Sequence, residues 1–508
     1  EFIRWSTAAL GCGWVDQSER VFMTDQTPSA ESERDRPGVM GWFARHPKTS
    51  VALCFLIVAV LAVFGLDQKA NRSLAGRIAA LRAKGEPMTV QDLIARQPKI
   101  PDEQNMTVAL LRQDAASNGI KVPEEMVSKL PLVGNLVAPL SGTRWKPEQL
   151  DSARWYLGKT KAQQEAIHQA CALKQSSMNV KWTQPMLNSY SALTSDLSNI
   201  RQVARLVNLA ALAYAHEGDQ IGAETAILDA LHIPRALNGS DNLIGALVQI
   251  STQAMALDTL ERCINLCVIP ESVLSKVQTE LIGYEKTADY RACFQGERVA
   301  FLDNLSIKGV ASALAQLPPA QNSIWWSYVP VIPTLDIKAG LEMHTDLVTA
   351  MDKPDSRMLA AVQAVKARVA ALPPYCVLSK ILIPSMYRSV VLWVRIAGES
   401  LAMQAAIAAE RFRLATGHWP DNVGALVPKY LSVIPLDPID GKTIRYAIIP
   451  EGIKTWSICD DSNNQDDGGD VRRINKSKQS DRPKDYGWVI LNPELRGKMP
   501  TSQPASGH

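Results

Sequence analysis

Apolar and polar positions divide the chain into one uninterrupted apolar run, a long stretch of helical periodicity, and a C-terminal stretch of turns and short β-rich runs. Residues 50–66 read SVALCFLIVAVLAVFGL, 17 residues without a charge, the short end of what crosses about 30 Å of hydrocarbon. Leu74, Ile78 and Leu81 then recur at helical spacing over residues 71–84, and Pro87 ends that segment. Residues 89–93 open a second helix, and prolines at 98, 101, 123, 131, 139 and 147 mark short helices and loops. From residue 146 to about 297 the helical period dominates. There, residues 197–217, a Gly218-Asp219 turn and residues 220–237 predict a helical hairpin. Ala210, Ala211, Ala213 and Ala215 would let a neighbouring helix approach closely. Further helices are expected over 242–266 and 271–284, on either side of Pro270.

Residues 317–333, LPPAQNSIWWSYVPVIP, read as a loop in which Trp325 and Trp326 anchor a core or, alternatively, offer a partner surface. Helices resume over 334–372, Pro373 and Pro374 interrupt them, and a long helix runs over about 384–416. Arg388, Arg395 and Glu399 within it favour a packed helix over a membrane span. Gly417 suits a left-handed C-cap, and a Trp419-Pro420 turn follows. Val423, Leu426, Val427 and Tyr430 predict a short amphipathic helix. A turn through Pro435, Asp437, Pro438, Asp440 and Gly441 then leads to strands at 444–449, 455–458 and 487–491.

The expected fold is mainly α. It comprises a single N-terminal transmembrane helix, an irregular α-helical array, and a small C-terminal α+β module with a short antiparallel sheet. The hairpin resembles a tetratricopeptide pair, so a repeat solenoid is the alternative for the array. Its flanks show no clear period of about 34 residues. The expected divisions are a disordered or spurious tail at 1–48, the anchor at 49–66, and a linker with short helices at 67–145. The array follows at 146–383, the long helix plus module at 384–496, and a disordered tail at 497–508. The recorded start is Glu1, and Met23 and Met40 are the candidate natural starts. Arg45, His46 and Lys48 before the apolar run favour a cytoplasmic N-terminus, with the bulk of the chain on the far, periplasmic side of the inner membrane. A cleaved signal peptide beginning at Met40 and a buried core helix are the competing readings of residues 50–66.

The order of elements from Ala408 to Asp470 resembles the C-terminal module of type II secretion pseudopilins. Carrying the resemblance are Arg411, Phe412 and Leu414 at the helix end, Gly417, Trp419-Pro420, and the Pro435–Gly441 stretch. The wider chain, residues 50–496, resembles an uncharacterised family of membrane-anchored proteins from planctomycetes and related bacteria. In that family a segment like residues 78–87, IAALRAKGEP, follows the transmembrane helix. The resemblance implies no activity. The pattern departs from pseudopilins in two ways: the helical array separates the apolar run from the module, and no Gly-Phe-x-x-x-x-Glu processing site precedes the run. Processing and polymerisation as a pilin are therefore not expected. Major pseudopilins bind calcium in the loop equivalent to residues 460–470. Asp460, Asp461, Asp466, Asp467 and Asp470 are the candidate oxygen ligands here. The loop is longer than the family pattern, Cys459 stands where glycine is usual, and a solvated acidic turn is the alternative.

Composition narrows the function classes. Hydrophobic residues make up 46% and charged residues 21%, enough to bury a core rather than stay disordered. A net charge of +3, with Lys and Arg scattered, argues against nucleic acid as a partner. The 8 cysteines form no Cys-x-x-Cys pair, and the 7 histidines form no cluster in sequence. Glu165 and His168 have di-iron spacing, but the companion Glu-x-x-His motif and two further Glu residues are missing, so an exposed ion pair or a chance spacing is expected. Cys263 and Cys267 share a helix face and read as small core residues. No nucleophile elbow, phosphate loop or dinucleotide fingerprint is present. The expected function is that of a non-catalytic, membrane-anchored scaffold or adaptor. It would contact the lipid bilayer through residues 50–66 and bind envelope proteins. The alternatives are an accessory part of a secretion or pilus-like machine, and an envelope hydrolase with an unrecognised site.

Overall fold

The structure is a computed structural model of the 508-residue chain. It describes residues 47–117, 122–136, 139, 141–284, 289–304, 331–353, 355–458 and 485–498. The described residues form 14 helices and one 3-stranded antiparallel sheet. The chain divides into two units between Ala62 and Val63.

Helix α1, Pro47–Ala83, runs through that boundary without a break. The apolar run and the segment after it, separate in the sequence reading, are thus one element. No proline intervenes, and the Asn71 side chain donates to Asp67 at 3.0 Å across one turn. At 1.5 Å per residue it spans about 55 Å. In the first unit its side chains meet solvent, with Phe55 72%, Val58 63% and Leu61 62% exposed. In the second unit the same helix packs. Leu74, Ile78 and Leu81 meet Met88, Leu302 and Leu341. The Thr334 hydroxyl donates to Asp67 at 3.1 Å.

Gly85 turns the chain with φ of 77°, and helix α2, Val90–Arg96, starts on a capping box between Thr89 and Asp92. Helices α3 (Met106–Ser117), α4 (Glu124–Val127), α5 (Pro147–Lys159) and α6 (Lys161–Cys171) lead into the predicted hairpin. Its arms are α7, Tyr190–Glu217, and α8, Gln220–His232, followed by a 3-10 turn at Ile233–Leu237. Gly218 closes α7 in the left-handed region, and the Asp219 side chain accepts from Gly222 N to start α8. The arms have 28 and 13 residues, which makes the array irregular at this point. Ala204, Ala210, Ala211, Ala213 and Ala215 of α7 are buried, as their small size predicts for close helix approach.

Helices α9 (Leu243–Ile264), α10 (Glu271–Leu281) and α11 (Tyr290–Asn304) extend the array. The helices expected over residues 334–372 are two, α12 (Val331–Ala350) and α13 (Asp355–Ala370). Helix α14, Val377–Thr416, starts earlier than expected and contains Pro384 within its first turns. From Ala402 to Glu410 nearly every side chain of α14 is buried, because α9, α10 and the sheet pack around it. The sheet is β1 (Arg445–Ile449), β2 (Gly452–Ser457) and β3 (Tyr486–Leu491), in that order. Only Val423–Leu426 of the expected short helix forms, as a 3-10 turn capped by Asn422.

Among the described residues three helices are long and apolar enough to cross a membrane: residues Ser50–Ala83 of α1, α9 and α14. Their most apolar windows are 0%, 56% and 72% buried, so α9 and α14 spend their apolar faces on the protein core.

Candidate functional site

Two polar constellations organise the second unit, and the first lies where α1 ends. Glu86, just past the Gly85 turn, accepts from Arg291 Nη2 at 2.6 Å, Arg298 Nη2 at 2.7 Å and Gln295 Nε2 at 2.7 Å. Arg96 donates to Gln295 and pairs with Asp241 at 3.0 Å, while Arg291 also pairs with Asp352 at 2.8 Å. Arg298 is fully buried. Burial opposes the charge on Glu86, but the bonds from Arg298, Arg291 and Gln295 outweigh it and hold its carboxyl at about 2. Removing one member of such a buried pair is costly, because the other charge is left desolvated. The hub therefore clamps α11 to the segment that follows the apolar helix.

The second constellation is the C-terminal module. Glu410 is fully buried near the end of α14 and is held by Arg413 at 2.8 Å and Arg496 at 2.8 Å. Burial again works against its charge, and the two guanidiniums lower its pKa on balance. Gly417 ends the helix with φ of 84° and donates to Arg413 O at 2.8 Å. Trp419 then packs over Arg413 and donates its indole N–H to Asn492 at 2.7 Å. In the following turn Asp437 accepts from Ile439 N, Ile458 N, the Ser457 hydroxyl and Arg445 Nη1, at 2.9, 3.0, 3.0 and 2.8 Å. Arg445 also grips Asp440 at 2.6 Å. These residues fasten the turn to the end of β2.

The module is welded to the array by its backbone. Strand β3 lies at an edge of the sheet, and the α9 terminus occupies that edge. Asn265 Nδ2 donates to Val489 O at 2.7 Å and Leu491 N donates to Asn265 Oδ1 at 2.8 Å. Val489 N donates to Glu261 at 3.0 Å. One amide and one carboxylate thus stand in for a neighbouring strand and block pairing with another chain there. On the sheet face, Thr455 donates to Ala402 O at 2.9 Å and the Trp488 indole to Glu399 O at 2.7 Å. Gly398 permits this approach, since a Cβ there would lie 2.4 Å from Ser457 Oγ.

The candidate calcium ligands Asp460, Asp461, Asp466, Asp467 and Asp470 all lie outside the described residues, as do Cys459, Trp325 and Trp326. The described carboxylates of the preceding turn, Asp437 and Asp440, are engaged by Arg445. Among the described residues no group of three or more His, Cys, Asp or Glu is placed to hold a metal ion.

The remaining sequence candidates are dispersed. His168 pairs through Nδ1 with Asp229 of α8 at 3.0 Å, whereas Glu165 accepts from Gln169 at 3.1 Å. His232 pairs with Glu280 at 2.9 Å. His216 stacks on Trp145, and His344 on Phe301. Burial, aided by neighbouring arginines, lowers both of these histidines to about 4 and keeps them neutral. Cys263 is buried and Cys267 half-buried; burial raises both thiols, the behaviour of packing residues rather than nucleophiles. The Glu86 hub went unread in the sequence because its partners lie as far as 212 positions away. The one local signal was an acidic residue between a turn glycine and a proline.

No protein-family model matches the chain, and no curated protein or solved structure matches it either.

Proposed function

We propose that the protein is a membrane-anchored, extracytoplasmic scaffold whose helical array binds other envelope proteins. The observation that carries this reading is the apolar half of α1, uncharged over residues 50–66 and with none of its most apolar window buried, yet continuous with a helix that packs into the second unit. The array adds support, because its interior is filled by Leu, Ala, Val and Ile and its buried Arg298 is closed on Glu86. Arg45, His46 and Lys48 support an N-terminus on the cytoplasmic side. The resemblance of the C-terminal module to pseudopilins supports an accessory role in a secretion machine as a second reading. The occupied β3 edge weighs against a role as a polymerising subunit.

The test is chemical cross-linking of native membranes followed by mass spectrometry of the captured peptides. Recurrent links from α5 to α13 to the same envelope proteins are expected. Links confined to the chain itself would overturn the scaffold reading, and links from residues 417–458 to secretion components would replace it with the second one.

A further inference from the structure

A cleft of about 280 Å³ opens between α5, α7 and the turn at Val133, lined by Val133, Tyr156, Ser198, Arg201, Gln202 and Arg205. Its polar groups all come from two helices. Tyr156 is on α5, and the other four lie along one side of α7, with Arg201 and Arg205 a single turn apart. Two guanidiniums at this spacing repel each other, and an ion pair would be the usual remedy. There is none here. Of the arginines in residues 147–304, Arg154, Arg235, Arg262, Arg291 and Arg298 each donate to a carboxylate or a carbonyl. Arg201 and Arg205 make no hydrogen bond or ion pair among the described residues, nor do the Tyr156 and Ser198 hydroxyls or the Gln202 amide. Among the described residues no carboxylate lines the cleft.

Five polar side chains face this open cleft without partners among the described residues, Ser198, Arg201 and Gln202 exposed and Tyr156 and Arg205 half-buried, and two of the five are permanently cationic. Guanidiniums match the oxygens of phosphate in a forked, bidentate geometry. Hydroxyl and amide groups supply further donors from helices whose backbones are packed against each other. The volume lies just below the range of small-ligand sites, about 300 Å³ upward, and suits a single phosphate group with a small substituent. We propose that this cleft binds a phosphate group, either as free phosphate or as the phosphate of a small ester such as a lipid headgroup. The proposal is independent of the scaffold reading, since it concerns a ligand and needs no protein partner.

The test is calorimetric titration of the full-length chain in a non-ionic detergent with inorganic phosphate and, separately, with glycerol 3-phosphate. Saturable binding of at least one of them is expected. The Arg201→Gln/Arg205→Gln variant should weaken it by about tenfold or more, the scale of one charged hydrogen bond. The Arg154→Gln variant, whose arginine is already paired with Glu217, should bind like the wild type. Thermal melting of each variant separates lost binding from lost folding, and the substituted arginines are not in the core. Tighter binding of glycerol 3-phosphate would assign an esterified headgroup, and equal or weaker binding would assign free phosphate. Absence of binding to both up to about 10 mM, or equal binding by the folded double variant, would overturn the proposal.

Discussion

At the residue scale, burial decides what each titratable group can do. His344 sits between Gly340 O, which lies 2.7 Å from Nδ1, and the Phe301 ring, and its Nε2 has no hydrogen-bond partner among the described residues. Its folded pKa of about 4 is below the ordinary 6.5, chiefly through burial and also through Arg298. The unfolded chain therefore takes up a proton that the folded chain refuses as pH falls from 6.5 towards 4. Stability is full above 6.5 and declines across that window, by about 3 kcal/mol for a shift of this size. His216, also held near 4, contributes with the same sign. Denaturant melts between pH 7 and 4 should show this loss, and His344→Phe should remove part of the slope while His216 retains the rest. An unchanged slope in the variant would contradict the burial account of His344. Glycines act at the same scale. A Cβ at Gly340 would lie 2.1 Å from the Phe301 ring, so α12 can cross α11 there only without a side chain.

At the element scale, part of the fold was legible and part was not, for identifiable reasons. Gly417, Trp419-Pro420 and the Pro435–Gly441 turn have local meanings, and the strands after them appear close to where β-rich runs placed them. The α7–α8 hairpin was legible because Gly218 and Asp219 encode the turn by themselves. Contacts between distant segments left no such trace. Asn265 is an ordinary residue at a helix end, and only the fold puts it against β3, 224 positions away. The same holds for Glu86, whose partners Arg291, Gln295 and Arg298 are brought to it only by the fold. The Asn265 contact leads to a prediction. Asn265→Ala should leave Val489 O and Leu491 N without partners at a cost of about 1–3 kcal/mol each if they stay dry. Hydrogen exchange should show faster exchange at Leu491 with α7 still protected; unchanged protection in β3 would mean that Asn265 does not hold that edge.

At the scale of the whole molecule, the chain combines a long apolar helix, a helical array, and a small sheet that shares the array's core. The occupied β3 edge and the Glu86 hub stabilise these parts as one packed unit from Val63 onward. Among the described residues three helices have membrane-like composition, and of these only α1 leaves its apolar window unburied, the difference that marks it as the anchor proposed above. Alkaline carbonate extraction of membranes carrying the full chain tests it most directly. The wild type should stay in the pellet, whereas Val58→Arg/Leu61→Arg should move to the supernatant, since each charge at the centre of a span costs about 3 kcal/mol. Release of the wild-type chain by carbonate would contradict membrane anchoring through α1.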